Sequence, residues 1–108
     1  MKDEHLYNER GQVAGTVRDG RLLKSGLDPT RHQLKYPPAW AIDKKHVQWM
    51  VDNSTWGVEI TTIAGDVWCA PIGHFLLYGK EIERGEGIQV ALPLNYWTVK
   101  DSRQMPMF

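Results

Sequence analysis

The chain has 108 residues, 42% of them apolar and 24% charged, with thirteen basic residues against thirteen acidic ones. That length suits one domain with its own core, and that composition excludes general disorder. A formal charge of zero gives no global pull toward nucleic acid or an anionic membrane, and a single cysteine, Cys69, excludes an internal disulfide and any Cys-rich zinc site.

The N-terminal run "MKDEHLYNER" is charged and holds no apolar stretch, so it does not read as a signal peptide. Nothing in the chain approaches the roughly 18 apolar residues of a membrane helix. The expectation is a soluble, cytoplasmic protein, a single compact domain over residues 1–108 with short tails at 1–6 and 101–108. Met105, Met107 and Phe108 give the second tail an apolar character that suits docking.

"QVAGTVRDGRLLK", residues 12–24, reads as a β-hairpin. Asp19-Gly20 is the turn pair that accepts positive φ at both positions. Gly15 weakens the first strand or marks a bulge. Residues 25–38 form a long connection in which Asp28-Pro29 favours a turn. Pro37-Pro38 drives Tyr36 out of the helical region and stiffens the corner into the next element.

"DKKHVQWMVDN", residues 43–53, predicts a helix with Asp43 as N-cap and Val47, Met50 and Val51 on one face. Residues 56–71 read as a second hairpin around Ala64-Gly65, with Val58 and Ile60 on one face and Trp68 opposed to Val67 and Cys69. "PIGHFLLYG" then predicts a short helix ending at Gly79. "GKEIERGEG", residues 79–87, reads as a flexible, charged surface loop. Residues 87–99 supply a strand, a break at Pro93 and a short strand ending at Val99.

The order predicts an α+β fold. A mainly antiparallel sheet of two β-hairpins plus one or two C-terminal strands would carry two short helices. Five tryptophans are expected chiefly in the core and on sheet faces, because large aromatics dominate buried area.

One stretch departs from the even charge. From Arg18 to Lys45 there are seven basic residues and three aspartates. His32, Tyr36 and Trp40 are interleaved. Cations track phosphates and aromatic rings stack on bases, so this is a pattern single-stranded nucleic acid uses. A solvated face with its aromatics in the core explains the same residues. Arg21, Lys24, Arg31, His32, Lys35, Tyr36 and Trp40 are the expected partner-binding residues.

Chemistry has less support. The four histidines show no metal-ligand pairing. Cys69 and His74 are five apart, without a nucleophile signature around them. Residues 79–87 are neither a phosphate loop nor an EF-hand. No catalytic motif is present, and neither a metal nor a cofactor is expected. The leading expectation is a small non-catalytic interaction domain that binds a protein partner or forms a homodimer through exposed aromatics and sheet edges. The alternative is nucleic-acid binding through residues 18–45.

Overall fold

The structure is a computed structural model and describes residues 3–35, 37–85 and 87–101. Tyr36 and the apolar residues Met105, Met107 and Phe108 lie outside the described residues.

The first three strands are β1 (Glu4–Tyr7), β2 (Val13–Arg18) and β3 (Arg21–Leu27). β2 and β3 form the hairpin expected from Asp19-Gly20, with φ of 53° and 76° at the two turn residues. β1 takes in residues 4–6 of the expected N-terminal tail and pairs antiparallel with β2. The register shift between Leu6 and Tyr7 skips Ala14, next to Gly15.

The long connection is more ordered than its sequence suggests. It contains a single helical turn, α1 (Pro29–His32), whose N-cap Asp28 accepts from the Thr30 backbone N–H. The short strand β4 (Leu34–Lys35) follows and pairs with β5 (Pro38–Asp43). The proline pair thus serves a corner between two strands, and the residues after it are a strand before any helix begins. Ala39, Trp40 and Ile42 on β5 are each 1% exposed. So short an apolar run carries no clear period.

Helix α2 (Lys44–Asp52) starts where Asp43 predicts. It buries His46, Val47 and Met50, while Val51 turns outward at 38% exposure. Strands β6 (Gly57–Thr62) and β7 (Asp66–Pro71) make the second expected hairpin. Helix α3 (Ile72–Tyr78) follows directly and buries Phe75. The run expected as a loop forms β8 (Lys80–Arg84), paired with β9 (Gly87–Pro93). A 3-10 turn (Leu94–Tyr96) leads to β10 (Thr98–Asp101).

The fold is α+β and rich in antiparallel pairs, but it holds two sheets, ten strands and three helices among the described residues. One sheet runs β1-β2-β3-β6-β7-β10 and the other β4-β5-β9-β8. The β3–β6 pair is parallel. Parallel neighbours need a crossover connection, and here α1, β4, β5 and α2 supply it.

Leu22, Val58, Ile60 and Ala70 from the larger sheet meet Trp40, Ile42, Val90 and Leu92 from the smaller one in a single core with Met50 and Phe75. α2 packs on β5 and β9, and α3 touches β6, β7 and β9. Trp40 and Trp97 are buried, while Trp49 and Trp68 pack against the core. Only Trp56 is exposed. No helix of the described residues is long and apolar enough to cross a membrane.

Candidate cationic groove

Two clefts meet at the turn between β8 and β9. The larger, of about 770 Å³, lies between the β1–β2 loop, the start of α2 and that turn. The smaller, of about 370 Å³, lies between β3, α1, β5 and the same turn. Arg84 and Gly85 line both, so the clefts form one groove.

The local structure of each wall follows from its sequence. In the β1–β2 loop, Asn8 Oδ1 accepts from the backbone N–H of Arg10 and of Gln12, at 2.9 and 3.0 Å. Asn and Asp side chains close turns in this way. Lys44 and Lys45 occupy the first turn of α2, where the helix dipole disfavours cations. Each is paired, Lys45 to Glu9 in the groove wall at 2.8 Å and Lys44 to Glu81, which is not a lining residue, at 2.9 Å. All four side chains are about half exposed, so these pairs contribute little stability and are open to competition from another anion.

Asp43 does not cap α2 with its side chain. Its carboxylate accepts from Gln89 Nε2 at 3.1 Å and lies 3.6 Å from His46 Nδ1, tying the helix start to β9. His46 Nε2–H donates to the Tyr7 carbonyl at 2.9 Å. Burial holds its imidazole below the usual histidine value, against the opposing pull of the Tyr7 carbonyl and Asp43.

The smaller cleft gathers Lys24, Arg31, His32 and Trp40 from the seven expected partner-binding residues, and adds Arg84 and Gln89. Lys24 lies on the same face of β3 as buried Leu22, and its Nζ donates to the Ala14 carbonyl at 2.7 Å. Burial pushes its ammonium below the ordinary lysine value, partly offset by Asp43. Trp40 is 1% exposed, so it is a wall of the fold and no stacking platform; its indole Nε1–H has no acceptor among the described residues.

Arg21 lies apart from the groove, with its guanidinium 5.0 Å from the Trp56 ring centre and 3.4 Å from Glu59. Lys35 is exposed on β4 and is not in the groove wall. Tyr36 is outside the described residues. Arg10, Lys44, Lys45 and Arg84 complete the groove. Lys44 and Lys45 belong to the basic stretch, but Arg10 and Arg84 lie outside it in sequence, and the fold brings them in.

The remaining candidate chemistry is dispersed. His74 Nδ1 bonds the Tyr96 carbonyl at 2.8 Å. Cys69 faces Glu59 and Thr98 across its neighbouring strands. Burial, and then Glu59, push its thiol up, which disfavours the thiolate a nucleophile needs. No group of three or more His, Cys, Asp or Glu positioned to hold a metal exists among the described residues.

Comparison with known protein families, characterised proteins and solved structures finds no match to this chain.

Proposed function

We propose that the protein is a non-catalytic, cytoplasmic domain that binds nucleic acid along the cationic groove. One observation carries the reading. Among the described residues the groove wall holds six basic residues and two acidic ones, in a chain whose thirteen basic and thirteen acidic residues cancel. Concentrated charge in a cleft attracts an anionic chain even when net charge is zero. Among the described lining residues the one large aromatic ring, Trp40, is buried, so contact with these residues runs through phosphates and is indifferent to sequence.

The test is fluorescence anisotropy with labelled single- and double-stranded oligonucleotides. Four to six phosphates neutralised should give a log–log salt slope of about −3 to −5, at roughly 0.7–0.9 per phosphate. R31E and R84E should each weaken binding to every sequence alike. The same reversal at Lys35, outside the groove wall, should change affinity little. A salt-independent affinity, or equal losses at all three positions, would remove this reading.

A second reading, binding of a protein partner or a second copy of the chain, is favoured by α3. Leu76 and Leu77 are 61% and 75% exposed there, beside Tyr78 stacked on Tyr96 at 4.1 Å. Single apolar residues on a surface are ordinary, but neighbouring ones suggest an interface. Light scattering at micromolar concentration that returns a monomer, unchanged by L77D, would count against self-association.

A further inference from the structure

The smaller cleft has a composition of its own. Lys24, Arg31 and Arg84 line it, and no carboxylate is among its described lining residues. His32 adds a neutral donor. The Asp28 backbone N–H donates to its Nδ1 at 2.9 Å, so the proton of the neutral ring sits on Nε2. Gln89 contributes an amide that already donates to Asp43. Trp40, in the same wall, carries a buried N–H without an acceptor among the described residues.

A lysine drawn into a fold without a carboxylate bonded to it is costly, and a bound anion offsets that cost. Among the described residues Lys24 has only the Ala14 carbonyl as hydrogen-bond partner, and burial destabilises its ammonium, with a partial offset from Asp43. Three cations lining one cleft with an uncharged donor match a compact group of high charge and several acceptor oxygens. A phosphomonoester is such a group, with about −1.5 to −2 charge at pH 7 and three acceptor oxygens. The diester of a strand interior carries one negative charge, and would gain less from the same cations.

We propose that this cleft is a receptor for a phosphomonoester dianion, held by Lys24, Arg31 and Arg84 with His32 as an uncharged donor. The group could be the terminal phosphate of a strand or the phosphate of a free small molecule. The strand version rests on the reading of the groove as a nucleic-acid path, with the small cleft at one end of it.

The test compares oligonucleotides of one sequence bearing a 5′-phosphate, a 3′-phosphate or only hydroxyl ends, alongside inorganic phosphate and a nucleoside monophosphate by titration calorimetry. The expected result is at least tenfold tighter binding of one phosphorylated strand than of the hydroxyl-ended strand. R31Q should abolish that ratio while R10Q, which lines the larger cleft and not the smaller one, preserves it. K24M should do the same as R31Q, and R31Q, at an exposed position, keeps the test meaningful if K24M does not fold. Monophosphate binding that R31Q abolishes, without end preference among the strands, supports the cleft and assigns it to a free small molecule. If no strand binds but the monophosphate does, the nucleic-acid reading falls and the cleft stands. Equal affinity for all three strands with no binding of either small phosphate overturns the proposal, while steep salt dependence of those strands would leave the groove reading intact.

Discussion

Gly79 and Gly73 lie six residues apart in and after α3, and their surroundings differ. A Cβ at Gly79 would collide with Val90 Cγ1 and with the Phe75 carbonyl, while one at Gly73 meets nothing within 4 Å. Gly79 has φ of −70°, so the glycine is required by close approach and not by a left-handed backbone. G79A is expected to destabilise by about 1–3 kcal/mol, the cost of overpacking. G73A should be neutral or stabilising by up to about 1 kcal/mol, through helix propensity. Urea unfolding of both variants checks the pair, and equal effects would refute the packing argument. His46 gives a pH dependence at the same scale. Its folded-state value is lowered, chiefly by burial, so the unfolded chain binds the proton more readily. The stability contributed by the neutral ring is present above the ordinary histidine value of about 6.5 and is lost as pH falls through the lower folded-state value. Urea midpoints at pH 7.5 and 5.5 should differ by more in the parent than in H46Q. An equal drop in both would place the acid sensitivity elsewhere.

Both hairpins, the central helix and the two C-terminal strands were legible at the scale of elements because each carried a local signal. Asp19-Gly20 marks one turn, the alternation at Val58 and Ile60 marks one strand, and Val47 with Met50 marks a helix face. The strands that escaped had misleading local signals. β5 begins at a proline and ends at the residue before α2, so its apolar run merged with the helix that follows. β8 has one half-buried apolar residue, Ile82, among four charged ones, which reads as a loop. It is an edge strand of its sheet, and charge on an edge blocks pairing with other chains. The smaller cleft was half legible. Lys24, Arg31, His32 and Trp40 stood in one basic stretch, but Arg84 reaches them only through the β8–β9 pairing, which no local pattern shows. The edge role of β8 predicts that E81V together with E83V promotes aggregation without loss of β structure. Turbidity and circular dichroism would check this, and a clear solution at high concentration would argue that the edge is protected in another way.

Across the whole molecule the balance of charge conceals its distribution. Among the described residues the groove wall holds six basic residues against two acidic ones, although the whole chain holds thirteen of each. A chain of zero formal charge with a uniform surface would pass through a cation exchanger near pH 7. This one should be retained, because an extended anionic surface senses the nearest patch and not the sum, over a Debye length of about 10 Å at 0.1 M salt. Two triple variants separate the patch from the total. R10Q, R31Q and R84Q together remove three cations from the groove. K35Q, K80Q and K100Q together remove three exposed cations outside its wall, with the same change in net charge. On a heparin or sulfonate column at pH 7, the first variant should lose most of its retention and the second should elute near the parent. Neutralising the groove also leaves Lys24, Lys44 and Lys45 in place, so a residual interaction that vanishes by about 0.2 M salt is expected. If both variants shift alike, retention follows net charge alone, and the groove holds no field strong enough to gather a polyanion.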